Sequence, residues 1–187
     1  MNNSRTKKLV TAGAMIAVAT VLSMITLFQL PQGGGITAFS MLPIILMSFR
    51  YGPKWGMYTG LGFALIKMML GFNNVMICPT LVSQIGCILL DYLIPFTLLG
   101  SASLFASGFK SKTAGVLAGS IAVGAIMFFC SFLSGILLWG AYAPAGTPVW
   151  IYSLIYNGSY MLPETALNAL GGVLICRTAP QLFTEQA

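Results

Sequence analysis

The chain has 187 residues, of which 57% are hydrophobic and only 6% charged; its net charge is +6 and it contains no histidine. A soluble domain carries roughly a quarter charged residues, so a solvated globular surface is excluded, and a mean hydropathy of +0.89 marks an integral membrane protein. The absent histidine, together with the lack of a GxxxxGK[ST] sequence, removes the Ser-His-Asp arrangement, a Cys/His metal centre and P-loop ATP hydrolysis.

Apolar runs then give the elements in chain order, each crossing needing about 20 residues. The first helix is expected from Leu9 to Leu30, ended by "PQGGG", and the second over the short run Ile36 to Phe49. The third runs from Pro53 to Leu70, where "GFNNVMICPT" breaks it. The fourth covers Leu81 to Ala106, the fifth Thr113 to Ala141 and the sixth Val149 to Cys176. These runs are too long and too often interrupted by glycine for the strands of a membrane barrel. The expected fold is all-α: a single domain over residues 1–187 with six transmembrane helices. The first run has a basic start but lacks a small-residue cleavage site, so it is expected to be a retained helix.

Arg5, Lys7, Lys8, Arg50, Lys54, Lys110, Lys112 and Arg177 fall on one side of that topology, and the opposite loops carry no Lys or Arg. The positive-inside rule makes that side, with both termini, cytoplasmic. The positive charge therefore reads as topology; no basic stripe with interleaved aromatics points to nucleic acid. Cys78, Cys87, Cys130 and Cys176 are scattered, without a CxxC pair, and read as packing residues.

Only three carboxylates exist, and Glu185 sits in the polar tail. Asp91 lies inside the fourth run, where an unpaired carboxylate costs a few kcal/mol, about 2.5 or more. Gln84, Cys87 and Asp91 share one helical face leading from the outer surface. Ser131, Gly135 and Trp139 recur at steps of four on the fifth run. That stripe reads equally as a helix contact ending in the interfacial aromatic belt. Ser153, Asn157, Glu164 and Asn168 form a stripe on the sixth, with Glu164 following Pro163. Glu164 has two readings, a tie between helices or a ligand contact. Lys67 has two as well, a pair with Asp91 or a side chain snorkelling to the interface.

The three stripes can converge on one outward-facing pocket roofed by the loops carrying Gly33 to Gly35 and Tyr142 to Trp150. Trp139, Tyr152 and Tyr92 offer faces for a flat ring or a cation, and a buried carboxylate suits a cationic or hydrogen-bond-donating heterocycle. Catalysis is not expected, nor is a metal site.

"QGGGITAFSMLPIILMSFRYGPKWG", "LLDYLIPFTLLGSASLF" and "YSLIYNGSYMLPE" closely resemble the thiamine-binding S components of energy-coupling factor (ECF) transporters, and the resemblance spans nearly the whole chain. It implies a six-helix subunit of a bacterial cell membrane that captures thiamine, or a related pyrimidine or thiazole, with high affinity. It also implies partners: a transmembrane scaffold and two ATPase subunits, which use the ATP; this chain itself carries no cofactor. The family's pocket carboxylate matches Asp91, followed by Tyr92. Its glycine and tryptophan match Gly135 and Trp139, and its tyrosine and asparagine match Tyr152 and Asn157, with Ser153 next to that tyrosine. Scaffold docking on small residues of the first helix falls on Gly13, Ala14 and Ala17, although Val18 stands where a strict AxxxA pattern needs alanine. Two further departures bear on the ligand: Ser131 replaces a histidine, and the Gly33–Gly35 run replaces a tryptophan. The alternative function is a stand-alone, proton-coupled secondary carrier using Asp91 or Glu164. No inverted internal repeat supports it. A third class, an assembly subunit without a ligand, leaves the three stripes without a purpose.

Overall fold

The computed structural model describes residues 3–31 and 33–184, without the side chains of Asn3 and Ser4; Glu185 lies outside the described residues. Helix α1 (Asn3–Met24) leads into strands β1 (Thr26–Gln29) and β2 (Gly35–Thr37). Then come α2 (Leu42–Tyr51), α3 (Pro53–Leu70) and the short α4 (Phe72–Ile77). Helix α5 (Leu81–Cys87) passes through a π-helical segment (Ile88–Leu93) into α6 (Ile94–Leu99) without a break. Two long helices, α7 (Lys112–Leu137) and α8 (Val149–Thr178), complete the bundle and pack extensively on each other. Short 3-10 turns occupy Ala102–Ala106, Gly140–Tyr142 and Pro180–Phe183.

The stretches Arg5–Met24, Leu81–Leu99 and Lys112–Leu137 are long and apolar enough to cross a membrane. Their outward faces are oily, with Val10, Ile121 and Phe129 more than half exposed. The interior is apolar as well: Ile44, Ile45, Phe63, Leu99 and Val123 form a core cluster with Met127 and Met161.

The first two expected spans need correction. The first helix stops at Met24, and the residues up to Leu30, counted into it, contain the outer strand of an antiparallel hairpin. Thr26 pairs with Thr37 and Gln29 with Gly35. β-Branched Ile25, Thr26, Ile36 and Thr37 favour extended backbone. Gly33, at φ +93°, turns the chain in a region that L side chains resist. The second run thus supplies a strand before its helix, and α2, ten residues long, spans about 15 Å. The fourth run ends its helix at Leu99 and the fifth at Leu137; Pro53 to Leu70 is found as expected. Pro163 leaves α8 unbroken.

Close helix crossings rest on glycine. A Cβ on Gly100 would collide with the backbone of Gly56, and one on Gly60 with the carbonyl oxygen of Phe96, so α3 meets the α6 segment backbone to backbone. At one end of the bundle, Lys8 and Arg50 flank the Tyr51 ring at 5.5 and 5.3 Å. Arg50 also donates to the Leu182 carbonyl at 3.4 Å. The N-terminal segment, the end of α2 and the C-terminal segment therefore meet at one end.

Candidate functional site

A cavity of about 500 Å³ opens in the other half of the bundle. The π-helical segment brings Asp91 and Tyr92 to its wall together. Such segments recur at functional sites because an extra residue per turn re-aims side chains. Asp91 accepts a hydrogen bond from the Trp139 indole N–H at 3.1 Å. Ser134 Oγ and the Cys87 thiol lie beside the same carboxylate; the Ser134 hydroxyl is buried outside hydrogen-bonding geometry. Among the described residues, no Lys or Arg acts on Asp91. Trp139 stands past the end of α7 rather than on its last turn. Its N–H is engaged within the cavity wall, not at a lipid-facing belt. Tyr142 lies 6.2 Å from it, ring to ring.

Tyr92 is fixed from behind. Its hydroxyl donates to the Gly71 carbonyl at 2.9 Å and accepts from Asn74 Nδ2 at 3.2 Å. That locks the wall to the α3–α4 junction. On the opposite side, α8 contributes Tyr152, Ser153 and Asn157. Ser153 Oγ donates to the Phe132 carbonyl at 2.8 Å. Asn157 Nδ2 donates to the Ser153 carbonyl and hydroxyl at 2.9 and 3.1 Å, and Asn157 Oδ1 accepts from Tyr160 at 2.8 Å. This network joins α8 to α7 where Gly135 leaves room: a Cβ there would strike Ser153 Oγ and come within 3.1 Å of Asn157 Nδ2. Ser131 lines the wall one turn earlier on α7.

All eight substrate-site candidates, Asp91, Tyr92, Ser131, Gly135, Trp139, Tyr152, Ser153 and Asn157, thus line one cavity. Gln84 does not: its amide donates to the Cys78 carbonyl at 3.2 Å, and the π turn between it and Asp91 breaks the expected face. Trp150 is 55% exposed and takes no part in the roof, whereas Tyr142 and Gly33 to Gly35 do. Lys67 fits neither reading. It lines the cavity rather than reaching the lipid interface, and the charge acting on it is that of Glu164, not Asp91. Asn74, Tyr156 and Tyr160 escaped the sequence reading. The two tyrosines were detectable, since Tyr152, Tyr156, Tyr160 and Glu164 repeat every four residues. Asn74 was hidden in a stretch read only as a helix break.

Residues 9–184 match the family model described as thiamine transporter protein (Thia_YuaJ). This chain belongs to the thiamine transporter protein family. A relative named thiamine transporter ThiT from Bacillus subtilis (strain 168) is 36% identical, covering 98% of this chain and 97% of its own. Another ThiT, from Lacticaseibacillus paracasei, is 31% identical over 86% of this chain and 84% of its own. A solved structure of ThiT from Listeria monocytogenes has the same fold, with a TM-score of 0.75 at 24% identity over 97% of this chain and all of its own. Transport rather than catalysis is what the thiamine transporter family is named for.

Proposed function

We propose that this chain is the substrate-capture subunit of an ECF-type importer and binds thiamine in the cavity bordered by Asp91 and Trp139. One observation supports this beyond family membership. Among the described residues no Lys or Arg acts on Asp91, and its carboxylate is held by an indole at the wall of a cavity with aromatic sides. A cationic thiazolium and a flat aminopyrimidine suit those surroundings. Cavities of about 300–1,000 Å³ hold small-molecule ligands, so about 500 Å³ is ample.

The chain crosses the membrane six times in this reading, with α2 as a short second crossing below the hairpin. The basic end that gathers Lys8, Arg50 and the C-terminal segment lies in the cytoplasm and the cavity faces outward. A scaffold subunit and two ATPases complete the importer. Gly13, Ala14 and Ala17 are exposed on α1, and a Cβ on Gly13 would touch nothing, which supports docking by close helix approach there.

The test is thiamine titration of detergent-purified protein, followed by tryptophan fluorescence and calorimetry. Saturable quenching without ATP or an ion gradient is expected. Folded protein that binds no thiamine would overturn the ligand assignment. Uptake by this chain alone in proteoliposomes, abolished by an uncoupler, would establish a self-sufficient carrier instead.

A further inference from the structure

Glu164 is buried, 2% exposed, on the sixth expected span. Both of its oxygens grip strand β2. The Thr37 N–H donates to Oε2 at 2.7 Å and the Thr37 hydroxyl to Oε1 at 2.7 Å. Asn168 Nδ2 adds a third bond, 3.3 Å to Oε1, and the Thr37 and Ser40 hydroxyls are themselves hydrogen bonded at 2.7 Å. Lys67 lines the same cavity as Glu164.

The grip has a second point. Gly34 N–H donates to the Tyr156 hydroxyl at 3.1 Å, and the Tyr160 ring lies so close that a Cβ on Gly34 would come within 2.6 Å of it. Tyr156, Tyr160 and Glu164 stand at i, i+4 and i+8, one ridge of α8 about 12 Å long. From Gly34 to Thr37 an extended chain covers about 10 Å. The lengths match, so β2 lies along that ridge and is tied at both ends. Just beyond it, Phe39 holds a left-handed φ of +61°, with its ring against Gly171. A bulky residue adopts that conformation when its surroundings enforce it.

We propose that Glu164 is a positioning residue for ligand capture: it fastens β2, and with it the Gly33–Gly35 roof, onto α8, and does not itself bind the ligand's cation. Glu164 lines the cavity too, but its two oxygens are engaged by Thr37 and Asn168, whereas Asp91 faces the cavity with the Trp139 indole N–H as its donor. This assignment rests on the capture reading for its effect on affinity, but the fastening itself does not.

The experiment therefore has two arms, on wild type, Glu164→Gln, Thr37→Val and the double variant. Amide hydrogen exchange of ligand-free protein is expected to rise about tenfold over residues 34–37 in Glu164→Gln, with the rest of α7 and α8 unchanged, because one charge-assisted tie is lost. Stopped-flow fluorescence is expected to show thiamine dissociating about tenfold faster with little change in association, and the double variant no worse than Glu164→Gln alone. Unchanged exchange at 34–37, or exchange raised throughout the bundle, overturns the positioning role. So does a loss confined to the association rate, which would make Glu164 an electrostatic ligand contact. If wild-type protein binds no thiamine, the capture reading fails while the exchange arm still decides the fastening.

Discussion

Asp91 and Trp139 meet through one hydrogen bond, and each serves the other: the indole N–H is satisfied, and the carboxylate is aimed. Replacing Asp91 with Asn keeps the shape and removes the charge. A charge-assisted contact is worth about 1.5–3 kcal/mol, so thiamine affinity in Asp91→Asn is expected to fall by at least about tenfold in calorimetry. Unchanged affinity would place the cation elsewhere. Trp139→Phe keeps an aromatic face but withdraws the donor from Asp91. Binding is expected to weaken less than in Trp139→Ala, which loses both; equal losses in titrations would show that the indole N–H, not the ring face, is what matters. Ser131 stands where resemblance expects a histidine, yet it lines the cavity close to Tyr160. The smaller side chain leaves space that a larger heterocycle could fill.

At the scale of the element, the crossing of α7 and α8 depends on Gly135. Adding one methyl forces Ser153 away from the Phe132 carbonyl and disturbs Asn157. Overpacking of this kind costs about 1–3 kcal/mol. Gly135→Ala is expected to lower the thermal unfolding temperature in detergent and weaken binding together; an unchanged midpoint would mean that the crossing has slack. Hydrophobic runs made α3, α7 and α8 legible, because each buries or exposes one face over five turns or more. The hairpin was not legible. Its strands are four and three residues long, too short for alternation to declare itself inside an apolar stretch. The π segment was equally hidden, since nothing in "ILLDYL" distinguishes a five-residue turn from a four-residue one. The cavity residues fared better. Polar groups at steps of four in an oily chain reveal the inward face, whatever the exact ends of the helix, and that is why Ser153 and Asn157 could be placed before the fold was known. Lys67 could not be assigned, because the cavity it lines is closed by residues far away in the chain, Glu164 on α8 among them.

For the whole molecule, the proposed capture site and the proposed docking face are separate in space. The cavity occupies one half of the bundle, while Gly13, Ala14 and Ala17 lie exposed on the outside of α1. Gly13→Leu is expected to leave thiamine affinity within about twofold, since no ligand-lining group touches it, while a bulky side chain at a close helix contact blocks assembly. Uptake by cells supplying the scaffold and ATPases is the measurement that checks delivery. Intact uptake, or lost binding, would remove this face from the docking surface.

Strand β1 carries a further consequence. Its four residues are exposed, and on its far side no strand pairs with it among the described residues. Hydrocarbon does not tolerate an open strand edge, because unpaired N–H and C=O groups there have no water to turn to. In the proposed six-crossing arrangement the hairpin would therefore mark a waterline, with lipid tails ending below Thr26 and headgroups or solvent at the level of β1.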